Sequence, residues 1–132
     1  LIVLDFGTAT TFDVVGPEGA YEGGVIAPGV NLSLEALQRA AAKLPRIEIV
    51  KPERVIGTNT ITAMQSGIYY GYASMIEGVI ARIREEKELE SLPAIGTGGL
   101  AKFYAPACRS IQNIDEDLTL RGLFVINAKN RT

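Results

Sequence analysis

The chain has 132 residues, 47% hydrophobic and 21% charged, a composition that excludes a disordered chain or a coiled coil and fits one compact domain. With 13 basic and 15 acidic residues the net charge is −2, so no basic field exists to hold nucleic acid, and no apolar run approaches the about 18 residues of a membrane span. There is no histidine and one cysteine, Cys108, which excludes histidine triads, histidine metal sites and internal disulfides and points to a reducing, cytoplasmic compartment.

Leu1 to Leu4 form an apolar run that ends at Asp5 and reads as a buried strand. A chain that opens inside a strand is expected to be a piece of something longer. Gly7 turns the chain, and Thr10 to Val15, β-branched and aromatic, predicts a second strand. Gly16-Pro17-Glu18-Gly19 is a turn, and Tyr21 to Ala27 predicts a third strand, which makes an antiparallel meander. Apolar residues at Val30, Leu34, Leu37, Ala41 and Leu44 predict a helix capped by Asn31 or Ser33. Pro45 to Val50 reads as a short strand.

The longest periodic segment runs from Thr60 to about Glu88 and predicts a helix. Ile61, Met64, Ile68, Tyr72, Met75, Val79 and Ile83 make one apolar face. Ala63, Gly67, Gly71, Ser74 and Gly78 make an opposite face of small residues only. Each helical glycine costs about 1 kcal/mol relative to alanine, so three of them point to close packing on that second side. Pro93 to Thr97 predicts a strand, followed by a short helix to Tyr104. Arg109 to Ile114 predicts another strand, and Leu118 to about Asn127 the last helix. A three-stranded antiparallel meander followed by alternating helices and strands is, by analogy, the α/β ribonuclease-H-like fold of actin-like ATPases.

Four segments have the makings of chemistry. Asp5-Phe6-Gly7-Thr8-Ala9-Thr10-Thr11 sets a carboxylate at a strand end, then a glycine, then hydroxyls across a tight hairpin. Gly7 lets the backbone approach a phosphate, Thr8 and Thr10 can donate to its oxygens, and Asp5 can hold a neutralising cation. The same letters also suit a plain β-hairpin. Asp5-Phe6-Gly7 spells the D-F-G of protein kinases, but no H-R-D or V-A-I-K accompanies it. Gly96-Thr97-Gly98-Gly99 joins a strand to a helix, where a nucleotide can meet a helix N-terminus. Gly23 to Gly29 places glycines inside a strand before a Pro-Gly turn. Ile56-Gly57-Thr58-Asn59-Thr60 is a polar loop entering the long helix, with Thr60 as the expected N-cap.

Taken in order, D-F-G-T-A-T-T, G-G-V-I-A-P-G, the I-G-x-N-T-x-x-A-M-Q-S-G run from Ile56 to Gly67, and T-G-G-L from Thr97 resemble the C-terminal half of type III pantothenate kinases. The resemblance covers essentially the whole chain. It implies phosphorylation of pantothenate by ATP with Mg²⁺, the first step of coenzyme A synthesis, by a homodimer that needs potassium or ammonium. On this resemblance Asp5 is the monovalent cation ligand. Gly7, Thr8 and Thr10 contact ATP, Gly98 and Gly99 receive the adenosine, and Thr60 contacts pantothenate. The long helix is expected to form the dimer.

The family's first phosphate loop and its G-x-D-R motif, which supplies the catalytic aspartate, have no match here. Asp13, Asp115 and Asp117 stand in no such context, so the base is expected on a preceding N-terminal half and the chain alone is expected to be inactive. Two other readings stand beside the kinase. One is a non-catalytic module that binds a nucleotide or a partner for regulation. The other is a divalent-metal nuclease, which needs several carboxylates converging near Asp5.

Overall fold

A computed structural model describes residues 1–131. Strands β1 (Ile2–Phe6), β2 (Ala9–Val15) and β3 (Tyr21–Pro28) are followed by helices α1 (Val30–Ala40) and α2 (Thr60–Glu86). Then come β4 (Ala94–Gly98), the short α3 (Ala101–Tyr104), β5 (Ile111–Ile114) and α4 (Leu118–Lys129). The five strands make one sheet in the order β3-β2-β1-β4-β5. β1, β2 and β3 pair antiparallel, whereas β4 and β5 run parallel to β1.

The alternation of β1 and β2 decides which face each residue serves. Ile2, Leu4, Phe6, Thr10, Phe12 and Val14 are buried on one face. α2 closes that face with Met64, Ile68, Tyr69, Ile76, Ile80 and Ile83. This burial is the main driving force for the fold, each such side chain contributing roughly 1.5–3 kcal/mol. Phe6, Tyr104 and Tyr69 stack in sequence with centroids 5.7 and 5.6 Å apart, tying the end of β1 to α3 and α2. The Tyr104 hydroxyl donates to the Ile68 carbonyl at 3.1 Å.

The seated face of α2 is rotated from the predicted stripe. Tyr69, Ala73, Ile76 and Ile80 lie in the core, while Tyr72, Met75 and Val79 pack only at its margin and Ile61 is exposed. Both tracks step by 3 or 4. Over 27 residues the choice between them is made by the sheet, not by spacing. Arg84 and Glu77 fasten the far half of the helix. Arg84 Nε donates to the Leu92 carbonyl at 2.9 Å, and Glu77 accepts from the Ser110 N–H and hydroxyl at 2.8 Å each.

Three local expectations fail. Pro45 to Val50 forms no strand. Ile47 and Ile49 turn inward and Arg46, Glu48 and Val50 outward, yet Gln38 and Gln65 side chains bond the Pro45 and Glu48 carbonyls in place of a neighbouring strand. α1 stops at Ala40 instead of reaching Leu44: the chain leaves helical backbone at Ala41, and Pro45 disfavours it at Leu44. Its N-cap is Gly29, not Asn31 or Ser33.

Thr60 is likewise not the cap of α2. Asn59 is: its side chain accepts from the Thr62 N–H at 2.9 Å, and the Thr62 hydroxyl accepts from the Asn59 N–H at 3.3 Å, a reciprocal capping box. Thr60 is the first helical residue, with its side chain exposed. Asn59→Ala is therefore expected to destabilise the fold by about 1 kcal/mol. Thr60→Val is expected to stay within about 0.5 kcal/mol of the parent. Urea melts of the two variants check this ordering.

Candidate functional site

Two turns meet at the end of β1. The first is Gly7-Thr8 between β1 and β2, closed by a hydrogen bond from the Gly7 N–H to the Ala9 carbonyl at 3.1 Å. Both residues are exposed. The second is Gly98-Gly99 at the end of β4. Parallel pairing of β1 with β4 sets Asp5 beside Thr97 and Phe6 beside Gly98. Antiparallel pairing with β2 sets Asp5 beside Thr11. Asp5 thus stands between two threonines on the face away from Phe6.

Gly98 explains the closeness of the two turns. Its φ is +89°, a left-handed conformation that favours glycine. A Cβ there would lie 2.5 Å from Asp5 Oδ1 and 2.8 Å from the Phe6 N and O. The backbone of the second turn therefore rests directly on the carboxylate. Gly99 faces open space.

Asp5 is half-buried, and among the described residues its carboxylate has no hydrogen-bond or ion-pair partner. Two of the other candidate carboxylates, Asp13 and Asp115, are occupied. Asp13 accepts from the Thr11 hydroxyl at 3.2 Å. Asp115 is ion-paired with Arg121 and accepts from the Asp117 N–H at 3.2 Å. Among the described residues no three acidic, cysteine or histidine side chains converge as metal ligands. The carboxylate cluster that a divalent-metal nuclease requires is therefore not formed by them.

Cys108 offers no nucleophile. It is buried, and that burial, with Glu77 as a lesser influence, pushes its thiol up to about 12. Burial likewise raises the Tyr104 and Tyr69 phenols.

Thr10 does not join the cluster. It is fully buried on the Phe6 face, and its Oγ1 has no partner among the described residues. Thr8 offers an exposed hydroxyl at the first turn.

Thr60 belongs to a separate feature, an open cleft of ≈ 790 Å³ between α1 and the first turns of α2. Ser33 and Leu37 line one side, with Thr58, Asn59, Thr60, Ala63 and Met64 on the other. Free N–H groups at a helix start suit an anionic or hydroxyl-rich ligand. The cleft and the first turn share the beginning of α1: Ser33 lines the cleft, while the Gly29 N–H donates to the Thr8 carbonyl at 3.1 Å.

Sequence reasoning missed Tyr72, whose hydroxyl bonds the Pro28-Gly29 segment and Ser33. Nothing in its spacing separates it from the apolar residues around it. Asn59 was legible in principle, since Asn59 and Thr62 stand at capping-box spacing.

Comparison with known proteins gives a consistent result. A type III pantothenate kinase from Rhodospirillum rubrum is 60% identical over 131 residues, covering 99% of this chain and 51% of its own length. One from Paramagnetospirillum magneticum is 58% identical over 132 residues, covering 100% and 50%. The chain thus spans about half the length of the curated relatives it matches. A crystal structure from Campylobacter jejuni, described as a conserved putative Baf family transcriptional activator, superposes with a TM-score of 0.68 over 98% of this chain and 58% of that one. At 21% identity that likeness speaks to the fold alone. The family model for type III pantothenate kinase matches residues 1–82, well over half of the sequence, and the chain belongs to that family.

Proposed function

We propose that this chain is the C-terminal half of an enzyme that transfers the terminal phosphoryl group of ATP to pantothenate, giving 4′-phosphopantothenate for coenzyme A synthesis in the cytoplasm. Its sheet order suits the ribonuclease-H-like fold of the actin-like ATPases. The observation that carries the reading is the junction at the end of β1. There a carboxylate with no partner among the described residues, an exposed Gly-Thr turn and an obligate glycine meet in a chain of this family.

Phosphoryl transfer depends mainly on positioning and charge neutralisation. Gly7 allows close approach of the backbone to phosphate oxygens, and the Thr8 hydroxyl donates to one of them. Gly99 leaves room for adenosine beside β4, while Gly98 seats the turn against Asp5, with Mg²⁺ arriving on ATP. Asp5 holds potassium or ammonium, which neutralises phosphate charge. Thr60 and the N–H groups of α2's first turn that Asn59 does not cap hold pantothenate in the cleft. Thr10, sealed beneath the hairpin, supports it from the core side and does not touch ATP.

The second face of α2 suits a homodimer. Gly67 and Gly71 have open space where a Cβ would stand, and Ala63 and Ser74 are exposed beside them. Close helix packing in the partnered state is expected to need that smallness. Gly71→Leu improves helix propensity by about 1 kcal/mol, so loss of the dimer cannot be blamed on a weakened helix. Sedimentation is expected to shift toward the monomer. A variant that stays dimeric assigns the interface elsewhere.

In the two-half kinase Asp5→Asn is expected to abolish activation of turnover by potassium. Unchanged potassium activation would overturn the assignment.

The chain alone is expected to show no phosphorylation. A general base must stand within hydrogen-bond reach of the hydroxyl it serves, and it contributes about 10²–10⁴-fold. Asp13 and Asp115 are engaged elsewhere. The base is expected from the half that the relatives carry beyond this one. A coupled assay with millimolar ATP, pantothenate, potassium and Mg²⁺ checks this. Turnover that survives repurification would place the base within residues 1–132.

A further inference from the structure

Tyr72 stands midway along α2, and its hydroxyl lies among three oxygens from a distant part of the chain. The Pro28 carbonyl is 2.6 Å away, the Gly29 carbonyl 2.9 Å and Ser33 Oγ 2.5 Å. A phenol has one proton to give. Serving the carbonyls with it leaves the oxygen to accept from the Ser33 hydroxyl. Three short contacts at one atom make a clamp across the Pro28-Gly29 corner and the first turn of α1.

That corner carries the proposed phosphate turn. The Gly29 N–H donates to the Thr8 carbonyl at 3.1 Å. The approach is so close that a Cβ at position 29 would overlap the Thr8 oxygen and lie 2.8 Å from the Gly7 oxygen. Gly7 and Thr8 are otherwise exposed, and the remaining main-chain bond is the one within their own turn. The Tyr72 ring also leans on Tyr104 at 6.0 Å, which stacks on Phe6, the residue after Asp5.

We propose that Tyr72 is a positioning residue for the phosphate turn: its hydroxyl holds Pro28-Gly29, and Gly29 in turn holds Thr8 at the height where it meets ATP. The inference rests on the phosphate role of Gly7 and Thr8 given above. Tyr72 touches no substrate. Its effect reaches the nucleotide through two hydrogen bonds and a backbone contact that admits no side chain.

The test uses Tyr72→Phe in the two-half kinase, which keeps the ring against Tyr104 and removes only the hydroxyl. Exchange of the Gly29 amide is expected to quicken at least about fivefold. KM for ATP is expected to rise about tenfold, with kcat and KM for pantothenate within about twofold of the parent. Unchanged Gly29 exchange, or an equal rise in both KM values, would overturn the proposal. Thr8→Ala separates the two layers. If it leaves KM for ATP unchanged, the phosphate reading fails and the proposal with it. If it raises KM for ATP while Tyr72→Phe does not, the phosphate reading stands and the clamp alone is overturned.

Discussion

The contact between Gly98 and Asp5 is the constraint on which the candidate site depends. Parallel pairing delivers the ends of β1 and β4 to the same end of the sheet, but pairing alone leaves a side chain's thickness between their turns. A left-handed glycine removes that thickness. The backbone of one turn then lies on the carboxylate of the other. The cost of this arrangement is that Asp5 is held half-buried without a charge partner among the described residues.

The remainder of the fold supports that junction from below. The stack of Phe6, Tyr104 and Tyr69 fixes the residue after Asp5 to two helices. Its rings are buried, so the end of β1 is anchored in the core although its tip is in solvent. Loops positioned by a rigid scaffold are the usual place for binding chemistry, and here the rigidity comes from aromatic packing.

Much of this was legible in residue order. Strong periodicity located the strands and the long helix to within a residue or two, because half-buried strands must alternate and an amphipathic helix must repeat. The Asp5 and Gly98 motifs were legible as suggestive letters. Their contact was not, since 93 positions separate them in sequence and only the sheet register joins them. Thr10 misled for the opposite reason. It sits in the right motif, but strand alternation turns it to the core face while Thr8 is left outside.

Other misreadings have similar causes. Residues 45–50 alternate as a strand does, and the alternation is real, but no neighbouring strand pairs with them and glutamine side chains take up two of their carbonyls. Tyr72 was absorbed into an apolar stripe because a hydropathy pattern weighs its ring and ignores its hydroxyl. In each case the local signal was sound, and tertiary neighbours decided its meaning.

The length of α2 has one more consequence. A helix of 27 residues is a rod of roughly 40 Å, rising about 1.5 Å per residue. Thr60 begins it at the cleft, and Tyr72 grips the Pro28-Gly29 corner roughly 18 Å further along, by the same rise. No flexible joint lies between the two points, so their spacing is set by counting residues, as on a ruler. One residue added or removed between them would turn Tyr72 about 100° around the axis and pull its hydroxyl off the corner. Substitutions along that stretch are tolerable in a way that insertions are not.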